Sequence, residues 1–129
     1  MIESASEFKR LRESESPNDY RRTVVESAPE EVWLELLLEP EWRFWVACNR
    51  TVPDKVLELL AKDGDSRVRG QVARTRRTPP GILAMLAKDA DEGVRLAVAV
   101  NARTPRDILE SLQDDAWESI REAVNERLR

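Results

Sequence analysis

Histidine is absent from the 129-residue chain, and Cys48 is its only cysteine. The first absence removes the usual neutral-pH proton shuttle and the commonest metal ligand. The second excludes an intramolecular disulfide and an all-protein thiolate metal cluster. Four glycines are too few for a turn-rich β protein. No apolar run approaches the ~18 residues needed to span a bilayer, so no membrane partner is expected. The opening segment, Met1 to Glu7, has neither the basic start nor the apolar stretch of a secretory signal. One unpaired thiol and no signal predict a reducing cytoplasm. Glycine-rich phosphate loops, nucleophile elbows and dinucleotide fingerprints are also missing. No catalytic residue, cofactor or metal is expected, and the chain reads as non-enzymatic.

What is present is a mixture of 41% hydrophobic and 36% charged residues, which is a globular composition. A chain of this length is one domain's worth of sequence and buries roughly two thirds of its unfolded surface. The net charge is −4, so no global positive field for nucleic acid exists.

The strongest signal is a repeat. Pro53, Val56, Leu57, Leu60, Ala61, Asp63, Asp65, Val68, Arg69, Val72 and Ala73 recur 26 residues later from Pro79 to Ala99. A further shift of 26 gives Pro105, Ile108, Leu109, Leu112, Asp115, Ile120, Arg121 and Val124. Upstream, Trp42-Arg43 and Val46-Ala47 fit the same frame, although Pro29 lies only 24 residues before Pro53. Tyr20-Arg21 and Val24-Val25 read as a degenerate copy. The expected units are therefore 29–52, 53–78, 79–104 and 105–129, with 1–28 as an N-terminal cap and degenerate repeat.

Each unit reads as two short helices. Thr78-Pro79 and Thr104-Pro105 predict a capping threonine before a proline at the first helical position. Leu83, Leu86 and Ala87 then recur at helical spacing. The acidic turns Asp63-Gly64-Asp65 and Asp89-Ala90-Asp91 fall where a second helix opens and where negative charge suits its dipole. No unit alone can bury its apolar face, so neighbours must stack.

The Val46-Ala47-Cys48-Asn49 segment with Pro53, and Val98-Ala99-Val100-Asn101 with Thr104-Pro105, resemble the leucine-rich repeat variant family, close to HEAT-like α-solenoids. The downstream Leu, Leu-Ala, Asp and Val-Arg positions complete the resemblance, which covers residues 29–129. It implies an all-α, right-handed α-solenoid of stacked helical hairpins serving as a binding scaffold. Some members resemble fusions with an N-terminal cysteine cluster for an iron–sulfur centre; with Cys48 alone, no such centre carries over.

Arg21, Arg43, Arg69, Arg95 and Arg121 occupy one position in successive units. The preferred reading is structural: each guanidinium bridges to an acidic turn such as Asp63, Asp89 or Asp115. The competing reading is an anion-binding stripe. Residues 53–78 hold seven basic and four acidic side chains, a local +3, while 29–52 and 105–129 are each −3. The basic spot Arg74, Arg76 and Arg77 reads as a solvated loop, and nucleic acid is a disfavoured partner. Asp63-Gly64-Asp65 lacks the further oxygen ligands of a calcium loop. Cys48, beside Val46-Ala47, reads as a small buried filler.

The 29–52 unit departs from its siblings. Phe44-Trp45 stand where later units have Gly70-Gln71 or Leu96-Ala97, and Leu34 and Leu38 add to a core already supplied by Val32, Trp33, Leu36, Leu37, Trp42 and Val46. Either an N-terminal helix with Phe8 and Leu11 covers this unit, as terminal repeats require, or the unit presents an interface hot spot of Trp, Phe and Arg. Both hold if the cap covers Leu34 and Leu38 and leaves Trp45 open. The expected partner-binding residues are Arg43, Phe44, Trp45, Arg69 and Arg95, and the expected partner is another protein. An immunity or inhibitor protein blocking a toxin, and nucleic-acid binding through the ladder, are the alternatives. The sequence expectation is a monomer or weak homodimer.

Overall fold

A computed structural model describes residues 1–129. It contains ten α-helices and no strand. In chain order they are α1 (Ala5–Glu13), α2 (Pro17–Val25), α3 (Glu30–Leu37), α4 (Pro40–Ala47), α5 (Asp54–Leu60), α6 (Ser66–Arg74), α7 (Pro80–Leu86), α8 (Glu92–Val100), α9 (Arg106–Ser111) and α10 (Glu118–Leu128). Each 26-residue unit supplies two of them, as its spacing predicts. The chain divides into two compact units, Met1–Leu57 and Glu58–Arg129, with the division inside α5.

In the second unit, α6 packs on α8 and α8 on α10, so equivalent second helices lie side by side. Their buried faces repeat at the same positions: Val68, Val72 and Ala73 on α6, Val94, Val98 and Ala99 on α8, Ile120 and Val124 on α10. First helices contribute Leu83 and Leu86, then Ile108 and Leu109. The acidic turns behave as their dipole argument requires. Asp65 accepts from Arg67 N at 2.8 Å and Asp91 from Val94 N at 3.1 Å, each capping the helix it opens. Trp117 takes this position on α10, makes no side-chain cap, and is 49% exposed.

The expected threonine caps are not formed. The residues flanking α7 and α9 on the N-terminal side are Pro79 and Pro105, without side-chain caps. Thr78 and Thr104 are buried instead, and their hydroxyls donate at 2.7 Å to the carbonyls of Val72 and Val98, six residues upstream. A buried hydroxyl must find an acceptor, and the carbonyls of Val72 and Val98 in the last turn of the preceding helix, which also accept from Thr75 N and Asn101 N, are within its reach.

In the first unit, α1 packs on α2 and α3, and α3 packs on α4. Phe8 and Leu11 are fully buried, and the Phe8 ring meets Trp33 edge-on at 5.7 Å between centroids. The N-terminal helix therefore does cover the aromatic repeat. Its reach is shorter than expected: Leu34 is half-buried and Leu38 remains 78% exposed. Leu37, Trp42 and Cys48, expected in the core, are half-buried as well. Lys9 donates to Glu39 and lies 5.8 Å from the Trp42 ring, tying α1 to the start of α4.

Candidate functional site

The ladder arginines are the first candidates, and they do not share one fate. Arg69 grips Asp89 with two bonds, Nε to Oδ2 at 2.8 Å and Nη2 to Oδ1 at 3.1 Å, while Nη1 donates to the Asp63 carbonyl at 2.8 Å. Arg95 repeats the arrangement one unit later with Asp115 and the Asp89 carbonyl. Arg121 donates to the Asp115 carbonyl at 2.6 Å, and Arg43 to the Leu37 carbonyl at 2.7 Å. Bidentate pairing of this kind is the strong form of a charged hydrogen bond. Burial alone would raise the Asp89 and Asp115 carboxyls. Bonds from Arg69 and Arg95, and from the Asp91 and Trp117 backbone N–H groups, outweigh it and hold both below the usual aspartate range.

A second kind of staple recurs within each unit at the ends of second helices. Asn49 donates from Nδ2 to the carbonyls of Thr23 and Glu26, both at 2.9 Å. Asn101 does the same with Ala73 at 2.7 Å and Thr75 at 3.1 Å. Arg127, 26 residues on, substitutes for asparagine and reaches the carbonyls of Ala99 and Asn101 at 3.0 and 2.8 Å. The sequence resemblance included both asparagines without indicating this role.

The basic spot lies where expected: Arg74, Arg76 and Arg77 are exposed. No group of Cys, Asp or Glu side chains converges in a way that could hold a metal ion. No helix is long and apolar enough to cross a membrane.

The aromatic surface is built differently. Phe44 and Trp45 lie on α4, half-buried, with their rings edge-on at 5.0 Å. The Arg12 guanidinium, from α1, lies 3.7 Å from the centre of the Trp45 ring. Tyr20, from α2, lies 3.5 Å from the same guanidinium. Three helices thus converge on one cation held by two rings, a geometry only a planar guanidinium suits. Arg12 donates one side-chain bond, Nη1 to Thr23 Oγ1 at 3.3 Å, and pairs with no carboxylate of the chain. Burial lowers its affinity for the proton; the neighbouring Tyr20 and Cys48 groups act in the opposite sense and offset only part of this. Tyr20 itself is 44% exposed.

Beside Tyr20 runs an open groove of about 470 Å³, lined by Ser14, Glu15, Pro17, Tyr20, Arg21 and Val24. Arg21 is the ladder member without a bond to carboxylate or carbonyl. The residues the sequence reading missed here are Arg12 and Tyr20. Arg12 lies outside the repeat, and Tyr20 reads only as the apolar lead of a degenerate copy, so periodicity could not pair them.

No family model matches the chain, and neither a curated protein nor a solved structure does.

Proposed function

We propose that this chain is a non-enzymatic helical-repeat scaffold that binds another protein through the aromatic and arginine surface of Met1–Leu57. The architecture it implies is a right-handed α-solenoid of the leucine-rich repeat variant or HEAT-like kind. Ten short helices and side-by-side second helices in Glu58–Arg129 support that reading. The observation that carries the binding reading is the stack of Tyr20, Arg12, Trp45 and Phe44, part of which stays open. Aromatic rings and arginine are the residues that dominate binding energy at protein interfaces. Of the five expected binding residues, Trp45 and Phe44 belong to this stack. Arg69 and Arg95 are committed to Asp89 and Asp115, and Arg43 donates to the Leu37 carbonyl, so these three act as structural staples in this reading. A phosphate backbone would have to displace both carboxylates, which weighs against nucleic acid on the ladder.

The test is quantitative capture of interacting proteins from the native cell by the immobilised wild-type chain and by Tyr20→Ala. Tyr20 is on the exposed side of the stack, so its removal should leave helicity intact while the captured partner is lost. Equal recovery by both chains would contradict the surface assigned here.

A further inference from the structure

The ends of α6 and α8 gather arginine. Residues 74–78 and 101–106, which close α6 and follow α8, hold Arg74, Arg76, Arg77, Arg103 and Arg106 and no acid. All five are exposed. Asn101 brings the two turns together. Its Nδ2 donates to the Thr75 carbonyl, between Arg74 and Arg76, at 3.1 Å, and its Oδ1 accepts from Arg103 N at 2.8 Å. The carbonyls at this edge are already taken: Asn101 holds those of Ala73 and Thr75, and Arg127 those of Ala99, Asn101 and Ala102. Arg74, Arg76 and Arg103 are therefore not needed to satisfy helix ends. None of the three pairs with a carboxylate of the chain, whereas Arg106 meets Glu110 at 3.2 Å.

The opposite edge is acidic. Arg69 to Asp89 and Arg95 to Asp115 join the starts of the second helices, as Asn101 and Arg127 join their ends. Thirteen basic and thirteen acidic side chains cancel in Glu58–Arg129, yet the turns before second helices are acidic and those after α6 and α8 are basic.

We propose that this basic edge of Glu58–Arg129 docks an extended, acidic segment of a partner protein, with Arg74, Arg76 and Arg103 meeting its carboxylates. It is a second surface, in the other compact unit, and does not rest on the Tyr20 stack. The planar guanidinium fork matches a carboxylate. Nucleic acid fits less well. Trp117, the one aromatic of this unit, opens α10 at the opposite edge, so no ring borders these turns for a base to stack on. A long polyanion would also run on towards the acidic turns, which a short segment avoids.

The probe is a fluorescein-labelled peptide of Glu-Pro-Pro repeats. Its polyproline II form puts the glutamates on one side ~9 Å apart, close to the ~8–10 Å between packed helix axes. Anisotropy titrations with the full chain should show saturable binding that weakens with salt, and none for a Gln-Pro-Pro counterpart. The double change Arg76→Gln with Arg103→Gln should weaken binding ~10-fold at unchanged melting temperature. Lys88→Gln, which removes an exposed cation at the acidic edge, should bind as wild type does, and so should Tyr20→Ala. No saturable binding, full affinity in the double variant, or equal weakening in Lys88→Gln would overturn the proposal. Loss of the peptide in Tyr20→Ala would move its site to Met1–Leu57 and overturn it too. An oligothymidylate of equal charge binding more tightly than the peptide would make this edge a nucleic-acid surface instead.

Discussion

Met1–Leu57 and Glu58–Arg129 are built from the same helical hairpin but secured differently. In the second unit the fastening is periodic. Arg69 to Asp89 and Arg95 to Asp115 span 20 residues each, and Asn101 and Arg127 reach back to carbonyls at matching distances in the chain. The first unit keeps staples of this kind at Arg43 and Asn49, but adds an aromatic fastening: Phe8 against Trp33, and Arg12 between Tyr20 and Trp45. The regular unit commits its ladder cations internally, Arg69 and Arg95 to aspartates and Arg121 to a carbonyl. In the irregular one the Arg12 guanidinium is held by two rings and a threonine hydroxyl instead of a carboxylate. A strict repeat pairs its own charges, and the place where it breaks carries the partly open stack on which the proposed binding reading rests.

That contrast can be broken at its largest energy first. Phe8→Ala should cost about 3–5 kcal/mol, because a fully buried ring leaves a cavity beside Trp33. Chemical denaturation followed by tryptophan fluorescence checks it, and a cost below ~1 kcal/mol would mean the cap carries little. Next is the ladder. Asp89→Asn should cost about 1–3 kcal/mol by leaving the little-exposed Arg69 with a neutral partner. The same pair sets an acid limit. The Asp89 and Asp115 carboxyls are held below the ordinary value of 3.8, so their stabilisation is complete above that value and is lost as pH falls through the lower folded one. Thermal melts should therefore drop on acidification below about pH 4, and less steeply in Asp89→Asn than in wild type.

Two smaller changes should stabilise. Trp117→Asp restores the cap that Asp65 and Asp91 provide on sister helices and should add about 1 kcal/mol. An unchanged midpoint would mean that Trp117 contributes packing equal to the missing cap. Gly70→Ala should add about 0.5–1 kcal/mol, since helical glycine is entropically poor. An added Cβ there would meet Arg74 Nη1 at 3.6 Å and Val94 Cγ2 at 4.0 Å, ordinary contacts. A decrease instead would show that α6 and α8 cannot yield even that space.

How much was legible in the sequence follows the same division. The period of 26 fixes both helices of each unit, the buried Leu83 and Leu109, the Asp65 and Asp91 caps and the pairing of ladder arginines with acidic turns. Repeats make every residue's neighbour a copy of something already read. Phe8 and Leu11 were also legible as a cap, because their spacing shares one helix face. The Thr78 and Thr104 hydroxyls are not legible in this way, because the local Thr-Pro motif competes with a last-turn carbonyl that comes near only after the preceding helix ends. Arg12 was not legible at all. Its partners come from three helices at unrelated spacings, and no periodic rule joins position 12 to 20 and 45.

The most direct test sets the two regions against each other in one experiment: the affinity of Tyr20→Ala and Arg69→Gln chains for the captured partner, each measured alongside its melting temperature. The expected result is that Tyr20→Ala, on the exposed side of the stack, loses the partner while it remains folded. Arg69→Gln should melt earlier yet bind normally while folded. Full affinity in Tyr20→Ala, or lost affinity in a stably folded Arg69→Gln, would contradict the assignment of the binding surface to Met1–Leu57.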